Sequence, residues 1–325
     1  MPNNTYVLGI DTSNYKTSVA LVDSNGTIVF NRQQFLKVKK GERGLRQSEA
    51  LFQHVQNLPR IITEAISDEI RANIKAVAVS DRPRPVKDSY MPVFTAGKGC
   101  AEIISSSLGI PLYTFSHQEG HIEAVKYYSE FKTSDNLICF HFSGGTTEAV
   151  IYKQHYDSNR PNISLEIVGG SKDLAFGQVL DRTGVAIGYS FPCGDMIDKI
   201  AVNASKNFKP DKSLLTKIKV TDGFINLSGI ETQTSRALSV TDETSLAHIL
   251  MYRLSDAVCT MTIQLSEKYG VTDFLYAGGV SCSEYMRNYL YSKLPQNINI
   301  AFGNPALSSD NAVGTALLGG KLIWR

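Results

Sequence analysis

The run His117-Gln-Glu-Gly-His121 sets two imidazoles four residues apart. On a helix that spacing puts both rings on one face, about 5 to 6 Å apart at their Cβ atoms. Imidazole nitrogens so placed suit one shared metal ion. The same pair also fits an ordinary surface helix, so other residues must decide between the two. Three short loops offer a second kind of chemistry: Asp11-Thr-Ser13, Ser143-Gly-Gly-Thr-Thr147 and Gly278-Gly-Val-Ser281. Glycine lets backbone N–H groups close on an anion, and Ser or Thr hydroxyls add donors without bulk. Neither Gly-x-x-x-x-Gly-Lys-Ser/Thr nor Gly-x-Gly-x-x-Gly occurs, which sets aside P-loop and Rossmann phosphate binding.

Such loops need strands to hold them. Tyr6-Val-Leu-Gly-Ile-Asp-Thr-Ser13, Thr17–Val22 and Thr27–Phe30 are short β-branched runs split by Asn25-Gly26, the pattern of an antiparallel meander. Apolar residues at Leu51, Val55, Leu58, Ile61, Ile62 and Ala65 predict a helix over 47–67, and 74–80 predicts a buried strand. The opening pattern returns at Leu137–Gly145 and Thr147–Tyr152, so the two halves are expected to be structural repeats. A helix is predicted from Ser245 to Tyr269, ended by Gly270. Strands near Asp273–Ala277 and Asn299–Phe302 follow, with a helix opening at Ser283 between them. A small-residue helix, Ala312–Leu318, is expected to stop at Gly319-Gly320.

A chain of 325 residues is long enough for two ordinary domains or one duplicated fold. Its 42% hydrophobic and 20% charged content belongs to a globular protein. A net charge of +2 permits nucleic acid as a partner without arguing for it. Five cysteines without a Cys-x-x-Cys pair point to a reduced, cytoplasmic setting. No apolar run reaches the roughly 18 residues that would span a bilayer, and no membrane partner is expected. The densest basic runs are Lys37, Lys39, Lys40, Arg43 and Arg46, and then Arg82, Arg84 and Lys87. Either could meet RNA phosphates, although such runs are more often solvated loops.

Taken in order, Gly9-Ile-Asp-Thr-Ser13, His117-Gln-Glu-Gly-His121, Phe142-Ser-Gly-Gly-Thr-Thr147, Gly177-x-x-x-Asp181, Phe191-Pro-Cys-Gly194, Leu227-Ser-Gly-Ile230, Ala277-Gly-Gly-Val-Ser281 and Ser309-Asp-Asn311 resemble one family. It is the tRNA N6-adenosine threonylcarbamoyltransferase family (TsaD), and the resemblance runs from about residue 6 to 320. It implies an α/β chain with the duplicated actin, hexokinase and sugar-kinase (ASKHA) fold, two domains around a nucleotide cleft. The first domain would be 1–130 completed by a helix at 310–325, and the second 131–309.

The resemblance also implies site residues. His117, His121 and Asp310 would hold one divalent metal, iron or zinc, with His141 as a possible fourth ligand or simply a histidine satisfied within its sheet. Ser143, Gly144 and Gly145 would hold phosphate, and Asp181 and Asp198 would meet ribose. Gly194, Gly278, Gly279 and Ser283 would line the purine of an ATP- or AMP-type nucleotide or acyl-adenylate. Threonylcarbamoyl-AMP would be the donor and a tRNA adenosine the acceptor, with partner proteins of the same pathway. Asp11 and Lys16 are the candidate catalytic residues. The family's Glu-Thr-Ser-Cys-Asp-Glu-Thr opening is here Asp11-Thr-Ser-Asn-Tyr-Lys-Thr17, Ser283 replaces an asparagine, and Asp81-Arg-Pro-Arg-Pro-Val-Lys87 replaces a glycine-rich stretch. These departures are those of a divergent paralogue. A small-molecule carbamoyltransferase, a kinase-like enzyme of the same fold and a non-catalytic scaffold remain the alternatives.

Overall fold

The computed structural model describes residues 4–13, 15–38, 45–157, 160–304, 307 and 312–324. The chain divides into two compact units, Met1–Tyr128 with His155–Ile163 and Ala306–Arg325, and Ser129–Gln154 with Ser164–Pro305.

In the first unit the predicted meander forms β1 (Tyr6–Ser13), β2 (Lys16–Asp23) and β3 (Ile28–Phe35), paired antiparallel. Two strands then run parallel to β1: β4 (Ile74–Arg82) and β5 (Leu112–Ser116). The sheet order is β3-β2-β1-β4-β5. Side chains alternate between the faces of a strand, and here the alternation decides what each face holds. Leu8, Ile10, Val77 and Val79 pack with Leu58 and Ile61 of α1 (Gln47–Ala65) and Ala101 of α3 (Phe94–Leu108). A one-turn helix, α2 (Asp68–Asn73), leads into β4. Val7, Ala76 and Ala78 face the other way, onto Ala312, Val313 and Ala316 of α10 (Ala312–Ile323). Asp11 and Ser80 continue that second series, and β5 feeds directly into α4 (His117–Tyr127).

Glycines set how closely α10 approaches. A Cβ on Gly9 would overlap Ala312 O, and one on Gly314 would overlap Gly120 O of α4. The expected stop at Gly319-Gly320 is not found, because α10 runs through both to Ile323. Their smallness serves packing instead. A Cβ at 319 would meet Ala78 Cβ at 2.8 Å, and one at 320 would meet the Trp324 ring at 2.5 Å. Glu123 of α4, 1% exposed, accepts from Lys321 of α10 at 2.7 Å.

The second unit repeats the plan. β6 (Asn136–Phe142) pairs antiparallel with β7 (Thr147–Asp157), and β8 (Arg160–Ser171) lies next in the sheet. β10 (Asp273–Ala277) and β11 (Asn299–Phe302) run parallel to β6 on its other side. A two-residue strand, β9 (Phe224–Ile225), closes the order β11-β10-β6-β7-β8-β9. Around this sheet pack α5 (Phe176–Ala186), α6 (Gly194–Ser205), α7 (Ser228–Ala237), α8 (Glu243–Tyr269) and α9 (Glu284–Lys293). Gly270 ends α8 as expected, at φ 66°. Among the described residues no helix is long and apolar enough to cross a membrane.

The α4–α10 crossing yields a prediction. Gly314→Ala should lower stability by about 1–3 kcal/mol, the cost of overpacking a filled interface, read as a lower urea midpoint. An unchanged midpoint would show that the two backbones can separate freely.

Candidate functional site

Asp11, Ser80 and His117 lie at the carboxyl ends of β1, β4 and β5, where ligands of open α/β sheets generally bind. Parallel register sets Gly9 beside Ala78 and Ile10 beside Val79, so Asp11 falls beside Ser80. Asp11 is 1% exposed and accepts hydrogen bonds from Ser80 Oγ and from His117 Nδ1, the latter at 2.9 Å. Burial would raise its pKa. The charge of His117, followed by hydrogen bonds from His117, Ser80 and Ser13, outweighs burial and holds the carboxyl below its usual range. An ionised carboxylate only accepts, so His117 donates through Nδ1, and in the neutral imidazole this tautomer carries the lone pair on Nε2. Carboxylates fix metal-binding histidines in this way. The hydrogen bond from His117 Nδ1 gives Asp11 the geometry of a group that orients the ring.

Helix α4 supplies both imidazoles. Ser116 is its N-cap, accepting from Glu119 N at 3.2 Å, while Glu119 Oε2 accepts from Ser116 N at 2.6 Å. This reciprocal capping box fixes the first turn, where His117 sits. His121, 7% exposed, lies one turn on, with ring centres 4.6 Å apart and planes at 75°. Two imidazoles side by side are donors of the kind that one ion can share. Phe94, 3% exposed, meets the His117 ring edge-on at 5.8 Å. Among the described residues no group of three His, Cys, Asp or Glu side chains that could hold a metal forms. Asp310, the third expected ligand, lies outside the described residues, as do Asn14, Lys39, Lys40 and Arg43.

Lys16 belongs to the β2 end of the hairpin. Its Nζ donates to Gln33 Oε1 at 3.1 Å and stands 4.6 Å from the centre of the Phe35 ring. Sequence reading overlooked His54, which is fully buried on α1 and contacts Thr17 Oγ1 through Nδ1 at 2.9 Å and Ser13 O through Nε2 at 2.8 Å. A carbonyl can only accept, so Nε2 carries the proton and Nδ1 accepts from Thr17. Asn57 donates to the same hydroxyl at 3.1 Å. The histidine thus ties α1 to both sides of the β1–β2 turn. A signal existed: His54 falls on the same helical stripe as Ala50, Leu58 and Ile61. Ser80 gave one too, as a polar residue ending an apolar strand.

In the second unit Ser143, Gly144 and Gly145 follow the carboxyl end of β6, and Gly278 and Gly279 that of β10. Ser143 Oγ accepts from Thr146 N at 3.1 Å, closing the turn that bears Gly144 and Gly145. Gly177, in the first turn of α5, abuts Gly144, with no room for a Cβ. Gly278, at φ 90°, lies against Phe142 O and the ring of His141, where any side chain would collide. His141 is paired across the sheet with Ala277 and Glu148. Gly144, Gly145 and Gly279 have open space where a Cβ would be.

Three expected nucleotide contacts also work as helix caps. Asp181 Oδ1 accepts from Cys193 N at 2.7 Å, beside Gly194 at the start of α6. Asp198 accepts from Ser283 Oγ at 2.5 Å and from Glu284 N at 2.8 Å, engaging both carboxylate oxygens at the start of α9. Burial pushes the Asp198 carboxyl up despite these bonds. Ser283 in turn caps α9 by accepting from Met286 N at 3.0 Å.

Burial lowers the pKa of His54, although its bond to Ser13 and the nearby Asp11 charge act the other way. A depressed histidine contributes stability above its unfolded pKa of about 6.5, and that contribution fades as pH falls from there toward the folded value. Denaturation of the parent at pH 7.5 and 5.5 should show a loss at the lower pH. His54→Gln should cost about 1–3 kcal/mol at pH 7.5 and flatten that loss. Parallel pH curves for the two proteins would exclude His54 as its source.

Comparison with known proteins bears on this geometry. Residues 28–317 match the model of the TsaD family, tRNA N6-adenosine threonylcarbamoyltransferase. A protein of that name from Bacillus licheniformis is 29% identical over 97% of this chain and 91% of its own length. Its namesake from Geobacillus thermodenitrificans is 27% identical over 100% and 94%. Among solved structures, full-length HypF in its phosphate- and nucleotide-bound form superposes with a TM-score of 0.62 at 10% identity, over 98% of this chain and 46% of that one. A putative N-acetylmannosamine kinase from Listeria monocytogenes gives 0.51 at 11% identity, over 98% and 99%. These likenesses support the duplicated actin- and hexokinase-like fold alone. With a family match over most of its length, the chain belongs to the tRNA N6-adenosine threonylcarbamoyltransferase family.

Proposed function

We propose that this chain transfers a threonylcarbamoyl group from threonylcarbamoyl-AMP to N6 of a tRNA adenosine. The N6 lone pair attacks the carbamoyl carbonyl carbon, the bond from that carbon to the phosphate oxygen breaks, and AMP leaves as N6 sheds a proton. No covalent enzyme intermediate is needed. The observation that carries the reading is the His117–His121 pair of the family motif, whose first imidazole hydrogen-bonds the buried Asp11 carboxylate.

His117, His121 and Asp310 would hold a divalent metal, iron or zinc. When bound, such an ion supplies a Lewis acid that offsets negative charge developing on the donor. The chain's own residues do the rest. Asp11 and Ser80 keep His117 oriented. The turn at Ser143–Gly145, uncharged and open at Gly144 and Gly145, would receive the phosphate, and Gly279 would leave backbone open to a flat purine beside the tightly packed Gly278. Asp181 can accept from a ribose hydroxyl while capping α6, since a carboxylate has two oxygens. Asp198 and Ser283 would act indirectly, by fixing α9.

Two measurements test the proposal. Purified protein, alone and with partner proteins of the pathway, is incubated with threonylcarbamoyl-AMP and unmodified tRNA. Mass spectrometry of the digested nucleosides should then show N6-threonylcarbamoyladenosine. Its absence under every condition overturns the assignment. Replacing His117 and His121 together by Ala should abolish metal content by elemental analysis while the circular-dichroism spectrum stays unchanged. Undiminished metal stoichiometry would sink the metal assignment.

A further inference from the structure

The stretch Asp81–Lys87, in which this chain carries Arg82-Pro-Arg-Pro85, begins at the end of β4 and runs past the first turn of α4. It touches that turn on both sides of His117. Pro83 O accepts from Gln118 N at 3.1 Å, one of the N–H groups that a helix start cannot satisfy internally. Pro83 has a fixed φ and no N–H of its own, so its carbonyl is presented on a stiff backbone. The Arg82 guanidinium donates to Asp81 Oδ1 through Nη1 at 2.6 Å and pairs through Nη2 with Glu119 Oε2 at 3.5 Å. That Glu119 oxygen is the one that accepts from Ser116 N in the capping box.

Asp81 and Glu119 are 17% and 10% exposed at their side chains, and Arg82 is 31% exposed. Two partly buried carboxylates pointed at one region repel each other unless a cation stands with both. A guanidinium can do so because its donors form a planar fork. Lys98 adds a weaker pairing with Asp81, at 4.0 Å. Residues 116, 118 and 119 are thus anchored to one another or to the β4 end, and 117 is the residue between them.

We propose that Arg82 is a positioning residue for His117. By holding Glu119 against the end of β4, it fixes the first turn of α4 and so the direction from which the His117 imidazole meets its ion. Its functional consequence rests on the metal reading above, whereas the clamp itself does not. Supporting groups around metal ligands typically change affinity about 10- to 100-fold when removed, while a partly exposed ion pair changes global stability little.

The test uses the full chain and Arg82→Gln, with Arg71→Gln, which removes an exposed arginine on α2, as the charge control. Cobalt(II) titration followed by visible absorption should show affinity weakened at least about tenfold in Arg82→Gln and unchanged in Arg71→Gln. Native-state amide exchange should speed up at Gln118 and Glu119 in Arg82→Gln while amides of α8 keep their protection. Exchange equal to the parent's overturns the clamp. Faster exchange with unchanged cobalt affinity overturns the link to His117. A parent protein that takes up no cobalt removes the metal reading and the link together, and the exchange rates then judge the clamp alone.

Discussion

Asp11 is an ionised carboxylate buried at the end of a central strand, and the first unit is arranged around the need to satisfy it. An unpaired charge in such a place would cost several kcal/mol. Relief comes from three elements at once: Ser80 from β4, His117 from α4 and Ser13 from its own strand. Strand register delivers Ser80, and the immediate passage of β5 into α4 delivers His117. The carboxylate that makes the imidazole useful is therefore also the group that holds β1, β4 and α4 to a common point.

Both units use the same strand order, an antiparallel hairpin continued by two parallel strands, yet their corresponding loops carry opposite chemistry. After β1 comes Asp11-Thr-Ser, which surrounds negative charge with donors. After β6 comes Ser143-Gly-Gly, an uncharged turn closed on the Ser143 hydroxyl.

Much of this was legible in the sequence. The histidine spacing, the repeated hairpin, the loop glycines and the long helix ended by Gly270 all follow from local periodicity. Local pattern could not reveal which residues meet across the fold. His54 has the spacing of a core position, and only the hairpin supplies its two partners. Asp198 and Ser283 read as ligand contacts in the sequence, and their part in starting α9 shows only in the fold. Gly319 and Gly320 look like a helix stop in sequence and prove to be contact points for Ala78 and Trp324. Arg82 looked like part of a solvated basic run, because its partner Glu119 lies 37 residues further along the chain.

The close seating of α10 on β1 and α4 has a consequence for how the protein is made. A ribosome releases residues 6–127 long before residues 312–323, so the first unit's sheet emerges with the Gly9, Ala76 and Ala78 face uncovered. The second unit, whose segments lie in between, has everything it needs earlier. Domains usually fold in the order of synthesis. Here the first unit must wait for α10, and the imidazole pair acquires its final surroundings only after the second unit has been made.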